Sequence, residues 1–163
     1  MPLELTAEDI KQGLNDETDE IRVTTAFWIF AAMDEWNGEP RPDAQGGLAA
    51  GSRPAQEQAY ARYALLATVF LDHLNDNHPY VRQAAAFGFH SIFRQRIDRG
   101  EGKYSFMDSV DLPPKFDWVR SDWQTRCATQ ETWRQWWVEH GAASLRRAYP
   151  PVAANTFQSA QTP

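Results

Sequence analysis

Residues 14–27, LNDETDEIRVTTAF, return sixty positions later as LNDNHPYVRQAAAF in residues 74–87, in register and without a gap. The columns Leu14/Leu74, Asn15/Asn75, Asp16/Asp76, Arg22/Arg82, Ala26/Ala86 and Phe27/Phe87 are identical, and Ile21/Val81 is conservative. Each copy reads as the end of one helix, a short acidic turn, and a second helix that opens on a β-branched residue followed by Arg. A single helical hairpin cannot bury its own apolar face, so a chain that repeats one must stack the copies against each other. The expected fold is all-α, a short α-α superhelix of hairpins with no sheet of more than incidental pairing. Chains of this kind work by binding along an extended surface.

Asp16 with Ile21-Arg22, and Asp76 with Val81-Arg82, resemble the HEAT family of helical repeats. In that pattern two antiparallel helices are joined by a turn carrying Asp, and a Val-Arg or Ile-Arg pair starts the second helix. The resemblance implies a structural role for Asp16, Arg22, Asp76 and Arg82, hydrogen-bonded between neighbouring repeats. The C-terminal ETWRQWWVEHG is similar to the Trp-rich closing helix of small bacterial HEAT-like proteins.

Local signals divide the chain into one helical domain over residues 1–149 and an extended tail over 150–163. Thr6 followed by Asp9 predicts a capping box and a first helix from about Ala7 to Leu14. A second helix, capped by Thr18 or Asp19, should run to about Trp36 with Ile21, Thr25, Trp28, Ile29 and Ala32 as its buried stripe. Residues 37–54 are rich in Gly and Pro and read as an inserted loop, either a partner contact or a tolerated insertion. Helices then follow from about Ala55 to Leu74 and from Pro79 to about Arg99, where Pro suits the first helical position. Residues 100–116 read as a second long connection. Trp133, Trp136 and Trp137 fall on one face of a last helix. That face either closes the open end of the stack or anchors another protein.

Charge is unevenly spread. The first fifty residues hold three basic and eleven acidic residues, while the remainder holds thirteen and eleven. A nucleic-acid binder needs the opposite sign to displace counterions from phosphates. An acidic face attracts cationic partners and speeds their encounter, or simply keeps the protein soluble. The lone Cys127 excludes an intrachain disulfide and, with no apolar run near the ~20 residues that cross a bilayer, points to a cytoplasmic setting.

No phosphate-binding glycine loop, zinc-protease motif, nucleophile elbow or paired CxxC occurs. His73 and His78 straddle a turn at a spacing that matches no metal motif, and Cys127 lacks an adjacent His. Catalytic, cofactor and metal residues are accordingly expected to be none. The function that fits is a non-enzymatic protein-binding module, most concretely an inhibitor or immunity protein whose acidic N-terminal repeat binds a cationic partner. Glu17, Asp19 and Glu20 at the turn, and Asp34, Glu35 and Trp36 at the far end of the same helix, are the partner-binding candidates. The alternatives are a small enzyme with a carboxylate/His site of unfamiliar form and, further off, a nucleic-acid-binding HEAT-like protein.

Overall fold

The computed structural model describes residues 5–37, 53–101, 103–108 and 111–149. Most of the 37–54 insertion and the 150–163 tail therefore lie outside the described residues. The first helix, α1 (Ala7–Leu14), opens on the capping box. Thr6 Oγ1 accepts from Asp9 N at 3.1 Å, and Asp9 Oδ2 accepts from Thr6 N at 2.8 Å, so two of the helix's orphan donors are satisfied reciprocally. After a turn comes α2 (Asp19–Asn37), then α3 (Arg53–His73) and α4 (Pro79–Ile92).

The two hairpins α1–α2 and α3–α4 pack side by side, with α2 against α4 and α1 against α3. Their shared core holds Ile10, Leu14, Ile29, Met33, Leu66, Phe70, Leu74 and Phe89, all fully buried. Close approach is written into the small residues. A Cβ on Gly88 would lie 2.6 Å from the Phe70 ring, so α3 and α4 can pack this tightly only because that side chain is missing.

The fourth helix stops at Ile92, and a β-hairpin follows where helix and then connection were expected: β1 (Arg94–Gly100) pairs antiparallel with β2 (Lys103–Asp108). The turn needs left-handed backbone, with Gly100 at φ +79° and Glu101 at φ +53°. Gly100 meets that demand at no steric cost. The hairpin is a local excursion, and the packed body is helical throughout.

After residues 111–122, α5 (Trp123–Trp136) begins under an Asp122 cap, whose Oδ1 accepts from Thr125 N at 2.9 Å. A π-helical turn (Trp137–Gly141) joins it to α6 (Ala142–Ala148). Trp133 is buried between Phe89, at 5.5 Å, and Trp118, at 5.2 Å, while Trp136 and Trp137 lean on Phe93. The Trp face thus closes the core beyond α4. Room for it comes from Gly141, where a Cβ would sit 2.6 Å from Trp137 and 2.8 Å from Trp136.

Candidate functional site

The turns that close each hairpin share one construction. Asp16 Oδ1 accepts from Thr18 N, and Asp76 Oδ1 accepts from His78 N, both at 2.8 Å. In each copy the aspartate side chain thereby folds its own turn. That geometry leaves the turn carbonyls pointing inward, where they need donors. Arg22 supplies them to Asp16 O at 3.0 Å and Glu17 O at 3.2 Å, and Arg82 to Asp76 O at 2.7 Å and Asn77 O at 3.1 Å. Each guanidinium then reaches the next unit. Arg22 Nε donates to Asp76 Oδ2 at 3.1 Å, and Arg82 donates to Trp118 O at 2.6 Å and Val119 O at 3.3 Å. The remaining Arg22 nitrogen bonds Asp19.

A third rung lies where the sequence shows no repeat. Arg22, Arg82 and Arg126 are each the fourth residue of their helix, and their backbone N–H groups bond the carbonyls of Thr18, His78 and Asp122 in turn. Arg126 also reaches back to the Ser121 carbonyl, as Arg22 does to Glu17 and Arg82 to Asn77. Counting from these arginines, Ala26, Ala86 and Gln130 are equivalent, as are Ile29, Phe89 and Trp133, and all six are buried. Gln130 uses the position to donate from Nε2 to Leu71 O at 2.7 Å at the end of α3. Residues 118–137 are therefore a degenerate third unit that keeps the second helix of the hairpin.

Between the first two rungs, Leu14, Asn15, Asp16, Arg22, His73, Asn75, Asp76 and Asn77 line an open depression of about 320 Å³. Its polar groups are largely committed to one another. His73 Nε2 lies 3.1 Å from Asn15 Oδ1, and Nδ1 lies 3.5 Å from Asp76 Oδ2, so each ring nitrogen faces an acceptor oxygen. Burial pushes the imidazole below its ordinary value of 6.5, against the opposing pull of the Asp76 carboxylate. Asn75 bridges to the third rung, accepting from Arg126 Nε at 2.9 Å and donating to Cys127 Sγ at 2.9 Å. No group of His, Cys, Asp and Glu able to hold a metal is present among the described residues. What the depression does is join repeats.

The acidic residues of the first unit lie elsewhere. Glu17 in the turn and Asp19, Glu20 and Asp34 on α2 are exposed, while the side chain of Glu35 falls outside the described residues. Trp36, expected as an interface residue, is instead only 8% exposed, with the Arg62 guanidinium 4.8 Å above its ring. The buried stripe of α2 is correspondingly rotated from the one expected. Arg22, Ala26, Ile29, Met33 and Trp36 face inward, whereas Ile21 is 45%, Trp28 49% and Phe27 60% exposed. The cause is Arg22. A guanidinium bound to the turn carbonyls and to Asp76 fixes the helix phase, and residues four, seven and eleven further on must follow it inside.

The outer side of α2 therefore carries exposed Phe27 and Trp28 beside Glu20 and Asp34, where Trp28 was expected in the buried stripe. Phe27 and Trp28 form an edge-to-face pair at 5.7 Å in the open. The repeat held the missing signal: Arg22 and Arg82 are identical columns, so the side of each helix that carries Arg had to be the side facing the next unit.

In comparison with known proteins, residues 66–95 match the family model described as HEAT repeat. That span covers the end of α3, the Asp76 turn, α4 and the Arg82 rung. No curated protein and no solved structure matches the chain. With the helical hairpins and the matched unit together, the chain is similar to helical-repeat proteins of the HEAT type.

Proposed function

We propose that this HEAT-like helical-repeat chain is a non-enzymatic protein-binding module whose contact surface is the outer face of α2. The observation that carries the reading is the exposure of Ile21, Phe27 and Trp28 on a helix whose other outward positions include Glu20 and Asp34, with Glu17 exposed in the turn before it. Large apolar side chains clustered in the open mark interaction sites, and aromatic anchors ringed by polar residues carry most of the energy of an interface. The carboxylates set the sign of the partner. The only basic residue of α2, Arg22, is buried and committed to the turn, so no residue of α2 itself offsets the negative charge of its outer side. A basic protein is the partner this face favours, with the carboxylates steering the encounter and the aromatic pair holding the complex.

The most concrete form of the reading is an inhibitor or immunity protein that neutralises a cationic toxin by covering it. No helix among the described residues is long and apolar enough to cross a membrane, which suits a module that works on another protein.

The test begins with affinity capture of the partner from the native cell, using wild type, a Phe27→Ala/Trp28→Ala variant and a Glu17→Lys/Glu20→Lys variant. Both variants should lose the partner, because both change only exposed side chains. With the purified partner, association with wild type should slow severalfold as salt rises from about 0.05 to 0.5 M, where the screening length shrinks from ~14 to ~4 Å. An acidic partner, or an association rate indifferent to salt, would overturn the reading. For the immunity form, co-expression must restore growth to cells poisoned by that partner.

A further inference from the structure

We propose that the partner lays a basic amphipathic helix along α2, in the place that a preceding repeat would occupy. The inference rests on the binding-module reading above and adds to it the shape of what is bound. Equivalence between the repeats carries the argument. In the second unit the side of α4 formed by Tyr80, Ala84, Phe87 and Ser91 lies beneath α2. Ala84 and Ser91 are fully buried, and the Phe30 ring of α2 sits 4.6 Å from Phe87 and 5.9 Å from Tyr80. Sixty residues earlier the same positions of α2 are Glu20, Thr24, Phe27 and Ala31, and every one of them is exposed. The helix that covers this side of its neighbour leaves its own side bare.

The substitutions between the two copies describe the occupant. Thr24 and Ala31 stay small where Ala84 and Ser91 are small, which allows a helix to approach as closely as α2 approaches α4. Phe27 keeps the ring that Phe87 offers to Phe30, so an apolar side chain should rest on it. Glu20 replaces Tyr80 with a carboxylate, so the group set there should be a Lys or Arg. With Asp34, fourteen residues beyond Glu20 on α2, the acidic border runs over about 21 Å at ~1.5 Å per residue, long enough to follow about four helical turns. The same charges argue against a second copy of this chain. A two-fold, antiparallel pairing of α2 with α2 about Phe27 would set Glu20 of each copy against Asp34 of the other.

The probe is a synthetic peptide of about 18 residues made of Ala, Leu and Lys, with Leu on one helical stripe and Lys beside it. A second peptide carries two central Pro residues and cannot form the helix. Titration calorimetry on the full chain gives affinity, and amide chemical shifts give the site. The helical peptide should bind and shift the signals of α2. Phe27→Ala and Thr24→Arg should each weaken it about tenfold, as central contacts do. Val138→Ala, on the exposed π-helical turn, should change nothing. The Pro-containing peptide should bind about tenfold more weakly than the helical one. Equal affinity for the two peptides, lost alike in Glu20→Lys, would overturn the helix and leave a cation-binding surface standing. Binding of neither, with the native partner still dependent on Glu20, would also overturn the helix while sparing the module. A chain that sediments as a dimer dissolved by Phe27→Ala would place a second copy on the face and overturn the proposal.

Discussion

Arg82→Ala tests the construction of the stack at its most heavily bonded point. The side chain is nearly buried and its guanidinium donates to the carbonyls of Asp76, Asn77, Trp118 and Val119. Truncation strands these acceptors unequally. The bond to Trp118 O is buried, so its loss leaves an unsatisfied carbonyl that costs about 1.5–3 kcal/mol. The other three carbonyls are partly open, and water replaces the donor at a cost nearer ~0.5 kcal/mol each. A total of about 3–4.5 kcal/mol follows, equivalent to ~6–18 °C in melting temperature for a chain of this length. Urea unfolding followed by far-UV circular dichroism measures it as a shift of midpoint at constant slope. Arg82→Lys separates charge from shape. One ammonium cannot span acceptors on both sides of the rung, so Lys should recover less than half of the loss. A loss below about 1 kcal/mol in Arg82→Ala, or full recovery in Arg82→Lys, would refute the account of the rung.

The remaining expectations concern the same seam. His73 is held below 6.5 by burial, so the folded state binds its proton more weakly than the unfolded chain does. Stability should be intact above pH 6.5 and decline as the pH falls below it, and His73→Gln should flatten the dependence of melting temperature between about pH 7.5 and 5. Gly13→Ala places a Cβ 2.1 Å from Thr25 Oγ1, an overlap that a β-branched neighbour cannot easily relieve, and should cost about 1–3 kcal/mol by denaturant titration. Adding Thr25→Ala should restore stability to wild type or above, since Ala is the better helix residue at both positions by up to ~1 kcal/mol.

How much was legible follows from which interactions are local. The capping box at Thr6, the Asp turns and the start of α4 at Pro79 depend on neighbours a few residues apart, and each was readable from spacing. The β-hairpin was readable in principle from alternation on either side of Gly100-Glu101, but that glycine also reads as a helix stop. The phase of α2 was not readable from hydrophobicity, because VTTAFWIFAAM puts apolar residues on every side of the helix. One polar contact decides it, between Arg22 and Asp76 across fifty-four residues. The third unit was hidden for a related reason. In register with the arginine its Leu, Asn and Asp columns hold Trp118, Val119 and Arg120, the turn aspartate stands three residues earlier as Asp117, whose Oδ1 accepts from Val119 N, and its spacing from the second is 44 residues instead of 60. What it retains in register is Arg126, whose task of satisfying a turn carbonyl does not depend on the residues around it. In this chain the arginine is the part of the repeat that cannot be exchanged, since apolar positions can be filled by Ile, Phe or Trp so long as volume is made up elsewhere. A search for further units is better anchored on the guanidinium and its backward reach than on the hydrophobic columns. The same geometry locates the side of α2 on which a partner helix is proposed to dock: the arginine faces the next unit, and the exposed side that carries Glu20, Thr24, Phe27 and Ala31 follows from it.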